Sequence, residues 1–78
     1  MNQQIIFNND VYYDELRQAV GFSCLVAGLK VNCFIACPPN TEATVFVTKI
    51  KAEIFNWEDC AEQAIADDAF NNAGEIWL

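Results

Sequence analysis

Between Ala19 and Ala36 two apolar runs flank the pair Ala27-Gly28, and no other feature of the chain constrains its fold as tightly. Glycine enters the left-handed region without steric cost, as a two-residue hairpin turn requires. With Ala27 and Gly28 as the loop, Val26 opposes Leu29, Cys24 opposes Val31, Phe22 opposes Cys33 and Val20 opposes Ile35. Side chains alternate along a strand, so all eight apolar residues share one face. The other face carries Gly21, Ser23, Lys30 and Asn32, with Leu25 and Phe34. A one-residue slip would destroy this sorting, and a two-residue slip would keep it. The face is therefore set more tightly than the register.

The flanking segments add elements around this hairpin. Ile5 to Phe7 reads as a short strand, and Asn8-Asn9-Asp10 as a turn. Val11 to Leu16 mixes aromatics with acids and reads as a loop or one helical turn. Pro38-Pro39 ends the hairpin, since proline cannot donate into a ladder. Asn40 and Thr41 offer a helix cap. Thr44 to Thr48 has strand propensity, but helical spacing gathers Ala43, Phe46, Val47, Ile50 and Ile54 into one stripe, which favours helix over residues 42–55. Asn56 is read as the cap of a second helix, with Asp59 completing a shortened capping box. Trp57, Cys60, Ala61, Ala64 and Ile65 would form its inner face. Asp67 and Asp68 oppose the negative end of the helix dipole, so the helix should stop near Ala66 or Asp67. After a turn at Asn71-Asn72-Ala73-Gly74, Glu75 to Leu78 supplies a closing strand. The expectation is one small α+β domain over residues 1–78: a small antiparallel sheet on a central β-hairpin (residues 19–36), then two helices and a short C-terminal strand.

Three groups of residues carry a resemblance: Met1-Asn2-Gln3-Gln4-Ile5-Ile6-Phe7, then Arg17-Gln18-Ala19-Val20-Gly21-Phe22, then Gly28 with Cys33-Phe34-Ile35. Together they resemble a family of small bacterial proteins catalogued as domain of unknown function 1488. The resemblance implies a hairpin-based sheet, helices and a terminal strand, and brings no activity or catalytic residue with it. Ala27 departs from the asparagine expected before the turn glycine.

At 78 residues the chain buries only about 63% of the surface its unfolded form exposes, so its core is marginal without a disulfide, a metal or a second subunit. Its 54% hydrophobic content still separates it from acidic disordered tails. The net charge of −7 is unevenly placed. Up to Ala52, four basic residues balance four acids; from Glu53 onward there are seven acids and no base. Such a surface repels phosphates and anionic lipid, which argues against direct nucleic-acid or membrane binding. A basic protein partner is compatible with it, and so is a protein that normally binds DNA.

No basic, apolar leader opens the sequence, and no apolar run approaches the roughly 20 residues of a membrane span. A cytoplasmic location is expected, where thiols stay reduced. Cys24, Cys33 and Cys60 fall on apolar faces as core thiols, whereas Cys37, beside Pro38, is the cysteine expected to be exposed. Histidine is absent, no phosphate loop is present, and Cys33 and Cys37 lack both redox and zinc spacing. No catalytic, cofactor-binding or metal-ligating residue is assigned, and an enzyme is not favoured. The first functional expectation is a cytoplasmic protein-interaction module. Its contact residues would be Glu58, Asp59, Glu62, Asp67, Asp68 and Trp77. The alternatives are an acidic mimic occupying a DNA-binding protein, and a small-ligand or enzymatic role using Cys37 or a carboxylate. A homodimer is a further expectation, from the marginal core.

Overall fold

The computed structural model describes residues 4–78; Met1, Asn2 and Gln3, which begin the resemblance, lie outside the described residues. The elements run β1 (Ile5–Phe7), β2 (Tyr12–Asp14), β3 (Ala19–Val26), β4 (Leu29–Ala36), α1 (Ala43–Ala52), α2 (Ile54–Ala66) and β5 (Ile76–Trp77). This is the expected α+β plan: two helices on a five-stranded sheet whose last strand is the short C-terminal one.

The hairpin register matches the sequence reading pair for pair, from Val26↔Leu29 to Val20↔Ile35. Ala27 and Gly28 both have positive φ, 51° and 85°, as the twist of adjoining strands demands of a two-residue turn. β1 and β2 lie end to end along the same edge of β3, both antiparallel to it. On the other side β5 pairs parallel with β4.

The pairing divides the sheet into two faces. Val20, Phe22, Cys24, Val26, Val31, Cys33, Ile35 and Ile76 point to the helices and form a core with Phe46 and Ile50 of α1 and Ala61 and Ile65 of α2. Ile5, Phe7, Tyr13 and Trp57 pack against its margin. Among the described residues no helix lies over the opposite face.

Several local expectations need correction. Val11 to Leu16 is neither loop nor helical turn throughout, because Tyr12 to Asp14 pairs with β3. Leu29 is 73% exposed although it has core parity and its partner Val26 is buried: β1 flanks Val26, whereas β5 pairs with β4 only at Cys33 and Phe34 and leaves the tip of β4 an open edge. Asn40 has φ of 65°, and the cap position of α1 is Glu42, without a side-chain cap bond. Asn56 lies inside α2, where its N–H donates to Glu53 O at 3.0 Å, so the helix already runs through it from Ile54. Cys60 is exposed, one position short of the buried Ala61.

Ala27 carries a side chain where the left-handed backbone disfavours one, at a cost of about 1–2 kcal/mol. Ala27→Gly or Ala27→Asn is expected to raise the unfolding free energy by about 1 kcal/mol. Urea denaturation would show this as a higher midpoint at unchanged slope.

Candidate functional site

On the helix-free face, one cross-strand row runs Tyr12, Gly21, Phe34, Trp77. Gly21 leaves room for the Tyr12 ring: a Cβ there would stand 2.7 Å from Tyr12 Cζ. Phe34 is buried beneath Trp77, with ring centroids 5.2 Å apart, and beneath the Arg17 guanidinium, 4.6 Å from its centroid. Arg17 reaches over from the β2–β3 connection. It donates to Asp14 Oδ2 at 2.8 Å and to Glu75 Oε2 at 2.6 Å. Trp77 Nε1 and Asn71 Nδ2 donate to the other oxygen of Glu75. Phe34 and Trp77 are thus held under a tied guanidinium.

These bonds favour the charged carboxylates. The Arg17 backbone N–H, then its guanidinium, hold Asp14 below the usual range against a desolvation that opposes them. The Asn71 amide leads in holding Glu75 low, helped by Arg17 and Trp77.

In the next row Ser23 is buried with its polar groups bonded. It faces the gap between β1 and β2, so no strand residue opposes it on that edge. Its N–H donates to Asp10 Oδ1 at 2.8 Å and its Oγ to Asp10 Oδ2 at 2.5 Å. Asn8 donates through its backbone to Ser23 O and through Nδ2 to Ser23 Oγ. The Asp10 carboxylate replaces a missing ladder partner, which makes this contact architectural.

On the helix side, the Cys33 thiol is pushed up by its hydrogen bond with Cys24 and by burial. Both thiols are free and fully buried. Cys37 is half-buried and its Sγ lies 3.6 Å from Thr41 O. Among the described residues no cluster of three or more Cys, Asp and Glu side chains is placed to hold a metal. Two surface clefts, of ≈ 200 Å³ (Asn9, Val11, Lys51, Ile54) and ≈ 280 Å³ (Thr44, Val45, Thr48), fall below the roughly 300–1,000 Å³ of small-molecule sites.

The acidic residues lie elsewhere. Glu58, Asp59 and Glu62 follow one side of α2 at helical spacing, with Asp59 and Glu62 exposed and Glu58 half-buried. Burial, then Glu62 and Asp59, push the Glu58 carboxyl up. Asp67 caps the C-terminus of α2 and accepts from Gln63 Nε2 at 3.1 Å; Asp68 follows with φ of 57°. Trp77 does not join these acids, because it faces the helix-free side while Ile76 faces the helices. Sequence reading missed Phe55. It is 79% exposed and precedes Glu58, Asp59 and Glu62 by three, four and seven positions, on the same side of α2. Its position in the i, i+3, i+4, i+7 series was the available signal, obscured by placing the helix start at Asn56.

The fold defines a small two-layer α+β domain with one uncovered sheet face and an acidic helix. The family model for "Protein of unknown function (DUF1488)" matches residues 5–78, and the chain belongs to that family. Its structure is similar to the crystal structure of a protein of unknown function of the same family from Shewanella loihica PV-4, with a TM-score of 0.87 and 24% identity over 100% of this chain and 94% of that one. No curated protein matches the chain. No helix among the described residues is long and apolar enough to cross a membrane.

Asp14 and Glu75 are held low in the fold, so they contribute stability above their ordinary values of about 3.9 and 4.3 that is lost as pH falls through the folded values. Arg17→Ala should move both titrations upward in a carboxyl-carbon NMR titration and weaken the fold at neutral pH. Glu58 has the opposite sign: its contribution is lost as pH rises, so Glu58→Gln should leave the neutral-pH melting temperature unchanged or higher.

Proposed function

We propose that the chain is a cytoplasmic protein-interaction module that receives a basic protein surface on the outward side of α2. The observation carrying this reading is Phe55, a large exposed aromatic on the same helical side as Glu58, Asp59 and Glu62. An exposed aromatic ringed by like charge suits a contact with an apolar pocket at its centre and cationic groups at its rim. The acids would steer encounter and the ring would supply the anchor. Asp67 and Asp68 extend the acidic surface beyond the helix, and no basic residue follows Ala52 to neutralise it. The four free thiols accord with a reducing compartment. Trp77 is set apart from this contact by its place on the other sheet face.

The test is affinity capture from the native host with three forms: the wild type, Glu58→Gln/Asp59→Asn/Glu62→Gln, and Phe55→Ala. A partner is expected with the wild type, weakened by salt and lost with both variants. Recovery of the same partner by both variants would sink the reading. If the captured partner binds DNA, competition between DNA and this chain would assign the contact to mimicry of a phosphate surface.

A further inference from the structure

We infer that the helix-free face of the sheet is the contact surface for a second copy of this chain, packed face to face about a two-fold axis along the Ser23–Asn32 row. The face differs at its two ends. One end carries the Tyr12–Gly21–Phe34–Trp77 row. Four positions along β3, the other end carries the row Ile6–Leu25–Lys30. Ile6 is 50% exposed, Tyr12 40% and Trp77 41%. A two-fold axis across the strands reverses their direction and keeps their order. It therefore sets Ile6 of each copy on Tyr12 of the other, and Leu25 over Gly21, where the Tyr12 ring already fills the space above the strand.

The charges at the two ends match under the same operation, and Asp10, in the middle row, faces its equivalent in the other copy. At the aromatic end two carboxylates, Asp14 and Glu75, share one guanidinium, leaving one negative charge in surplus. At the other end Lys30 has no ion-pair partner among the described residues. The axis brings Lys30 of each copy to the Phe34–Trp77 end of the other, next to Glu75. In the middle row Asp10 has both oxygens turned onto Ser23. The acids of α2 lie in the helix layer, so two copies repel least when their sheets face each other. This self-complementarity is what an isologous contact requires. A patch of about 27 Å by 19 Å belongs with the small interfaces of weak, transient contacts.

Sedimentation velocity over a concentration series tests this, with circular dichroism to confirm folding. The wild type is expected to shift from monomer to dimer. Ile6→Asp and Lys30→Glu are each expected to raise the dissociation constant by about ten-fold or more. Phe55→Asp, on the opposite layer, should leave it unchanged. A wild type that stays monomeric up to about 200 μM overturns the assignment. So do two folded sheet variants that dimerise like the wild type, or a dimer abolished by Phe55→Asp.

Discussion

The pairing of β3 with β4 is the constraint from which the other contacts follow. Its register sends Val20, Phe22, Cys24, Val31, Cys33 and Ile35 to one side. That side must be covered, and the stripes of α1 and α2 cover it with Phe46, Ile50, Ala61 and Ile65. The same register aligns Gly21 with Phe34, which lets Tyr12 lie low on one and Trp77 stack on the other. A shift of β4 by one residue would bring Lys30 and Asn32 to the core side and expel Val31 and Cys33, so every tertiary contact rests on this ladder.

The parts legible from sequence are those in which short-range pattern and tertiary demand agree. The hairpin satisfied alternation and turn chemistry together. The helix over residues 43–52 won over its β-propensity because Phe46 and Ile50 fall on one side at helical spacing. The parts that escaped depend on contacts distant in sequence. β2 is a strand only because β3 offers it an edge, and its aromatic-acidic composition does not announce that. The burial of Phe34 needs an arginine and a tryptophan from opposite ends of the chain. Helix starts were misplaced for another reason. Asn40, Thr41 and Asn56 have capping chemistry, but the helices begin at neighbouring positions without a side-chain cap. For the acidic surface, sequence located the charge, and structure separated Trp77 from it and put Phe55 in its place.

The two layers divide the surface chemically. The helix layer concentrates uncompensated carboxylates, while the open sheet face binds most of its charge internally through Arg17 and Ser23. A chain this small thus presents one strongly acidic surface and one nearly neutral, aromatic one. The two are suited to different neighbours, and neither competes with the other for area.

The closing strand has a kinetic consequence. Arg17 and Glu75 are 58 positions apart, and β5 adds only two residues to the ladder, yet Ile76 is fully buried. Closure over so long a loop is entropically slow, and a two-residue strand offers little to hold it before the core is dry. The order of assembly that follows is hairpin first, helices onto it, and the C-terminal edge last. In the native state the same edge should be the first to open. Hydrogen exchange at Trp77 and Leu78 would then outrun that of the hairpin, and each opening would admit water beside Cys33.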